Sequence, residues 1–157
     1  MKNSDYKISK LKSTDKIPFD LLLLADETKD AIEKYIYESD IYIAEVSGQT
    51  KPIAVFALYR TSEVDIEIKN IAVVPDLQGK GIGSFLIDEI KGIAARENYQ
   101  NIIAGTADCG YREIKFYELN GFLKYDIRKH FFTNNYPRPI IENGVLLRDM
   151  VMLKFKL

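Results

Sequence analysis

The chain has 157 residues, of which 46% are hydrophobic and 29% charged, so it is expected to form one ordinary globular domain over residues 1–157. A net charge of −1 excludes a global basic field for nucleic acid, and no apolar run reaches the roughly 18–20 residues of a membrane span. A single cysteine, Cys109, and a single histidine, His130, argue against an internal disulfide and a metal centre. With no signal-peptide pattern either, the expected setting is the cytoplasm.

Hydrophobic periodicity then gives the elements in chain order. Tyr6 to Leu11 alternates and reads as a strand. Phe19 to Leu24 and Thr28 to Tyr37 read as short helices, with Asp26 or Thr28 as N-cap. Ile41 to Val46 and Pro52 to Tyr59 read as a hairpin turning at Ser47-Gly48-Gln49-Thr50. Val64 to Val74 is a strand, and Gly83 to Glu97 a helix with Ile82, Leu86, Ile90 and Ile93 along one face. Asn101 to Thr106 is a strand. Asp108 to Asn120 is a helix, closed by Gly121 in the left-handed C′ position. Phe122 to Phe132 and Val145 to Phe155 read as the last strands, separated by a long loop from Thr133 to Gly144. This order is that of a mixed α/β domain with a largely antiparallel sheet and one crossover through the central helix.

The strand from Val64 to Val74 carries an irregularity. Val64, Ile66 and Ile68 put apolar groups on even positions, whereas Ile71 and Val73 put them on odd ones. A change of parity inside one strand predicts a bulge near Lys69-Asn70. Backbone groups freed by a bulge can bind an extended, amide-bearing ligand as though it were a further strand.

Between this strand and the central helix stands VVPDLQGKGIG, Val73 to Gly83. Gly79, Gly81 and Gly83 remove side chains where backbone must approach a ligand. The helix that follows has no good side-chain N-cap, so its first amides are available to an anion at the positive end of the helix dipole. Lys80 adds a charge. The spacing matches neither GxxxxGK[ST] nor GxGxxG. The glycines read as a pyrophosphate cradle or, alternatively, as plain turn chemistry.

Gln78-Gly79-Lys80-Gly81-Ile82-Gly83 resembles the Q/R-x-x-G-x-G/A signature of the GNAT superfamily of acyl-CoA-dependent N-acetyltransferases. The preceding EIKNIAVVPDLQGKGIG and the later Phe116-Tyr117-Glu118-Leu119-Asn120-Gly121-Phe122, an FYxxxGF pattern, are similar to the same family. The resemblance covers about residues 40 to 125. It implies a GNAT-like fold of about seven strands and about four helices, with a bulged, splayed fourth strand. It implies acetyl-CoA as co-substrate, no metal, and an amine on a small molecule or peptide as acceptor. The implied cofactor contacts run along Ile71, Ala72 and Val73, then through Gln78, Gly79, Lys80, Gly81, Ile82 and Gly83 to Ser84. Glu67 stands where some members carry a catalytic glutamate; the alternatives are a water chain as base, or an exposed acid on a strand face. Tyr117 stands where the family has a tyrosine facing the cofactor sulfur; its alternative is a core aromatic. The sequence departs from the family at Gly110, where an asparagine is common.

Other features carry less. Eight acids against two lysines between Asp20 and Glu45 read as a solvated helix face, or as a rim for a cationic acceptor. Cys109 reads as a structural thiol, with a Cys-His nucleophile as the weaker alternative, and His130 as a surface or stacked histidine or, alternatively, a substrate-side base. The late loop is either a specificity wall or an ordinary connection. The C-terminal strand from Val145 could pair with a second copy in a homodimer. A non-catalytic acyl-CoA-binding module is the alternative function.

Overall fold

In the computed structural model, residues 5–157 are described; residues 1–4 of the expected domain lie outside it. The strands β1 (Tyr6–Lys10), β2 (Asp40–Val46), β3 (Pro52–Arg60), β4 (Asp65–Val73), β5 (Asn101–Ala107), β6 (Leu123–Arg128) and β9 (Met150–Lys156) form a seven-stranded sheet. Its spatial order is β1-β2-β3-β4-β5-β9-β6, and only β4 and β5 run parallel. A second, two-stranded sheet pairs β7 (Ile141–Glu142) with β8 (Val145–Leu146).

Helices cover both faces. On one side α3 (Ile82–Arg96) and α4 (Tyr111–Leu119) pack on the sheet. Their core joins Leu86, Ile87 and Ile90 of α3, Ile114 and Tyr117 of α4, Ile66, Ile68 and Ile102 of the strands, and Phe122. Opposite, α1 (Phe19–Leu22) and α2 (Lys29–Glu33) bury Leu22 and Ile32 with Tyr35 and Ile36 against Val55, Ala57 and Ala72. Thr28 caps α2, its Oγ1 accepting from the Ala31 amide at 3.1 Å.

The expected bulge is present. Ala57 of β3 faces Asn70 of β4, and the next residue, Leu58, faces Ile68, so Lys69 is the extra residue. The faces change across it. Ile66 and Ile68 belong to the α3 side, as do the partly buried Ile71 and Val73, whereas Ala72 joins the α1–α2 side. Pairing with β5 stops at Ile68, so β4 and β5 diverge beyond that point.

The late chain differs from the expectation in three ways. The strand after Phe122 ends at Arg128, because His130 takes a left-handed φ of 58° and starts helix α5 (Phe131–Asn135). The segment expected as a loop holds that helix and the β7–β8 hairpin, which turns at Asn143 (φ 50°) and Gly144 (φ 77°), the dipeptide that suits a two-residue hairpin loop. The final strand begins at Met150 rather than Val145 and lies between β5 and β6. Both of its edges are therefore occupied, so it offers no free edge for a second copy; the open edges are β1 and β6. Similarly, the expected helix to Tyr37 ends at Glu33 and continues as a 3₁₀ turn, Ile36–Glu38.

Phe122 locks the α3–α4 side. It is fully buried and touches Tyr117 and Phe155 with ring centroids 5.2 and 5.6 Å away. Phe122→Ala should lower unfolding stability by about 3–5 kcal/mol in urea titration, as expected for a large ring lost from a close-packed core.

Candidate active site

A cavity of about 990 Å³ opens where β4 and β5 part. Its walls divide by chemistry. Along one wall run Ile71, Ala72 and Val73 of β4, then Gln78, Gly79, Gly81, Ile82, Gly83 and Ser84. Of the expected cofactor residues, Lys80 alone is not part of the lining. The Ile71 and Val73 backbone has no β5 partner on the cavity side, since the ladder ends at Ile68. That leaves a strand edge of polar groups facing a gap, the arrangement that accepts an extended amide chain.

The glycines of the loop do different jobs. Gly79 (φ 75°) and Gly81 (φ 84°) hold left-handed backbone, and a Cβ on either would meet open space. The loop thus presents bare backbone to the cavity. Gly81 is also the N-cap of α3 and supplies no side-chain acceptor, so the first amides of the helix are free for an anion. Gly83 is different. A Cβ there would come within 2.9 Å of the Phe116 ring, so this glycine serves the contact of α3 with α4. The side chain of Gln78 donates to the Val73 carbonyl at 3.0 Å and ties the loop to β4.

Glu67 lies at the end of the parallel ladder, is only 4% exposed and lines the cavity. Its carboxylate pairs with Lys69 at 2.9 Å and stands 3.9 Å from Arg128. The exposed-acid reading is thereby excluded. Asp65, two residues earlier, is held outside the cavity by the Asn101 amide at 2.7 Å.

Tyr117 reaches the cavity from α4 and is itself buried, its ring set edge-on to Phe116 and Phe122. Burial first, then the charges of Glu113 and Glu67, push its phenol well above the ordinary range. The hydroxyl is therefore protonated throughout the physiological range and available as a donor.

Gly110, the departure from the family pattern, has a local cause. It caps α4, and a Cβ there would press on Thr106 Oγ1 at 3.0 Å and on the Ala107 carbonyl at 3.1 Å. A side chain in this turn out of β5 would require Thr106, Glu113 or the Ala107 carbonyl to shift by a few tenths of an ångström. Cys109 and His130 lie outside the cavity lining. Burial, with Asp108 adding, pushes the Cys109 thiol up, which suits an inert thiol rather than a nucleophile. His130 sits in a turn, its amide donating to Asp149 at 2.8 Å.

The remaining wall is built by the early helices and the late segment. Phe131, Phe132 and Tyr136 line it, with Phe132 and Tyr136 stacked at 5.8 Å. A chain of hydrogen bonds crosses it. Tyr136 and Tyr35 donate to the two oxygens of Asp26 at 2.8 and 3.1 Å, and the amide of Asn70 donates to Tyr35 at 3.1 Å and to the Leu22 carbonyl at 2.9 Å. Lys34 donates to the Asn135 carbonyl at 3.0 Å. Sequence reasoning missed this network. Its one visible signal was Asn70, a polar residue within an apolar strand.

The acidic segment is mostly spent elsewhere. Asp40 pairs with Lys10, Glu38 accepts from Tyr59, and Glu33 accepts from Tyr37. Of the eight acids only Asp26 and Glu27 line the cavity. Burial, and then the neighbouring Glu142 carboxylate, raises the Glu27 carboxyl.

A crossover sheet with a strand pair splayed beside a bare glycine loop, and a buried carboxylate and phenol at the fork, is the arrangement expected of an acyl-transfer class of protein. Comparison with known proteins agrees. The Acetyltransferase (GNAT) family pattern matches residues 11–122. The N-acetyltransferase YvbK of Bacillus subtilis (strain 168), described as uncharacterized, is 35% identical over 135 residues, 86% of each chain. A GNAT family acetyltransferase from Elizabethkingia anophelis, solved with acetyl-CoA bound, is 36% identical over 98% of this chain and 99% of that one, with a TM-score of 0.92. An acetyltransferase from Bacillus subtilis in complex with CoA is 32% identical over 97% and 99%, with a TM-score of 0.85. The chain belongs to the GNAT acetyltransferase family.

The buried phenols have a consequence at high pH. Burial is the largest cause raising Tyr35, Tyr117 and Tyr136. Above about pH 10 the unfolded chain loses these protons while the native chain keeps them, so the native state binds more protons and stability falls as pH rises. Urea midpoints should therefore decline above about pH 10, and Tyr117→Phe should make that decline shallower. An unchanged slope would mean that the Tyr117 phenol is open to solvent.

Proposed function

We propose that the protein is an N-acetyltransferase that moves an acetyl group from acetyl-CoA to an amine by direct attack, with both substrates bound together. The observation that carries this reading is the meeting of two elements at one cavity. The open edge of β4 and the bare glycine loop suit pantetheine and pyrophosphate. Glu67 and Tyr117 stand at the fork where the thioester of such a ligand would lie. Backbone of Ile71, Ala72 and Val73 pairs with the pantetheine amides. Gln78 to Ser84, with Lys80 as a nearby charge, receives the pyrophosphate.

Each reacting group then has a task. An amine with pKa near 10.4 is only about one part in 2,500 neutral at pH 7, so removing its proton matters. Glu67 takes that proton, directly or through a water. The amine nitrogen bonds to the acetyl carbon, and the Val73 amide holds the carbonyl oxygen as it gains charge. The carbon–sulfur bond breaks, and Tyr117 gives its proton to the departing sulfur. Burial keeps that phenol protonated, so the proton is present when the thiolate develops. The second proton of the amine nitrogen leaves to solvent as the amide forms, and the Tyr117 phenolate and the protonated Glu67 are reset by solvent exchange. The Lys69 contact keeps the Glu67 carboxylate fixed between turnovers. No step needs a metal, and no group of three or more metal-binding side chains occurs among the described residues.

No described helix is long and apolar enough to cross a membrane, and a cytoplasmic enzyme acting on a freely diffusing amine fits that. A non-catalytic binding module is the second reading, and CoA binding without acetyl transfer to any amine would favour it.

Tyr117→Phe should lower kcat by about 10- to 1,000-fold and leave acetyl-CoA affinity within a few-fold, because the hydroxyl acts on the leaving sulfur. Glu67→Gln should lower kcat similarly and recover part of it as pH rises and the free amine accumulates. Thiol release under single-turnover conditions measures both. Unchanged turnover in either variant removes the role assigned to that residue.

A further inference from the structure

The charges around the candidate base point to what the amine carries. Glu67 contributes one negative charge, and Lys69 and Arg128 flank it with two positive ones. Glu113 lines the same cavity and acts on Tyr117, so the charges at the fork come close to balance, and what distinguishes the cations is whether each has a short partner. An anionic group next to the acceptor amine would meet whichever cation is left open.

Lys69 and Arg128 are not equivalent. Lys69 is engaged, 2.9 Å from Glu67 and over the Tyr59 ring at 5.5 Å. Arg128 stands 3.9 Å from Glu67, beyond hydrogen-bond length. Its guanidinium makes no hydrogen bond among the described residues, although it lines the cavity with 43% of the side chain exposed. The two acids nearest in sequence turn one oxygen to backbone, Asp126 to the Ile127 amide and Asp149 to the His130 amide, and neither forms an ion pair with Arg128. A guanidinium presents a planar fork of donors that matches a carboxylate in two parallel hydrogen bonds. Here such a fork is left open beside the group that receives the amine.

We infer that Arg128 anchors a carboxylate on the acceptor, so that the substrate class is an α-amino acid or an amine bearing a carboxylate at the neighbouring carbon. The inference rests on the acetyl-transfer reading and adds the acceptor class to it. The ammonium lies against Glu67 and the carboxylate against Arg128, which replaces one long contact with two short ion pairs. Both anchors are on strands, β4 and β6, held in register by β5 and β9. The strand that ends at Arg128 leads directly into Phe131 and Phe132, so the aromatic wall starts beside the carboxylate anchor and is placed to take an apolar side chain.

Matched acceptors test this with acetyl-CoA and thiol detection: phenylalanine against phenethylamine, and leucine against isoamylamine. Within each pair the amino acid should have the higher kcat/KM by about 10- to 100-fold, the range of hydrogen bonds to a charged group. In Arg128→Gln that ratio should fall towards one, chiefly through KM for the amino acid, and Arg128→Lys should restore only part of it. Melting temperature checks that both variants fold. Equal efficiency within each pair for the unaltered enzyme overturns the inference and leaves the acetyl-transfer reading intact. Equal loss for both members in Arg128→Gln also overturns it, because Arg128 then acts only through the charge on Glu67. No thiol release with any amine overturns the acetyl-transfer reading and this inference together.

Discussion

One extra residue, Lys69 in β4, sets the geometry of the site. A strand without it would carry one apolar face from end to end and pair with β5 along its whole length. With it, the faces exchange between Ile68 and Asn70, and the ladder to β5 ends. The first half of β4 is then a core strand, held on both edges. Its second half is a strand with one edge held by β3 and the other facing the cavity. Everything chemical about the cavity follows from that change. Glu67 lies one residue before the last held position, Ile68, and Ile71 and Val73 lie on the free edge. Lys69 itself returns to pair with Glu67, so the residue that makes the bulge also neutralises the buried acid beside it.

The glycine loop continues the same strand and needs the divergence to be useful. Bare backbone at Gly79 and Gly81 would be an exposed turn if β5 stayed alongside. Because it does not, the loop and the N-terminus of α3 close one end of the cavity and the aromatic wall closes the other. The packing that fixes these parts is ordinary. Gly83 lets Phe116 approach, Phe122 fills the space below Tyr117, and Gly110 makes the turn that aims α4 at the fork. On the side of the early helices the link is polar. Asp26 collects Tyr35 and Tyr136, and Asn70 joins that chain directly behind the bulge.

Much of this was legible in the sequence where short-range rules apply. The parity switch at Ile68 and Ile71 locates the bulge because side-chain direction in a strand depends only on counting. The glycine spacing locates the loop for the same reason, and Thr28 and Gly121 mark helix ends by their own chemistry. What could not be read depends on contacts between distant segments. Arg128 shows its place only when β6 is set beside β9 and across from β4. The Asp26 network joins residues more than a hundred positions apart. The late segment departs from the expected loop at Asn143-Gly144, a pair that is a strong short hairpin signal and turns β7 into β8. The acidic segment was left between a solvated face and a substrate rim, since a count of charges does not say which way they face; only Asp26 and Glu27 reach the cavity.

The central claim is that the splayed β4 and its glycine loop form an acetyl-CoA site. Thermal unfolding with saturating acetyl-CoA, with desulfo-CoA and with ATP tests it most directly. At about 100 times the dissociation constant a ligand adds about 2.7 kcal/mol. For a domain of this size that corresponds to a rise of roughly 5–10 °C in the midpoint. The account predicts that rise with both CoA forms and none with ATP. No shift with either CoA form at millimolar concentration, or an equal shift with ATP, would contradict it.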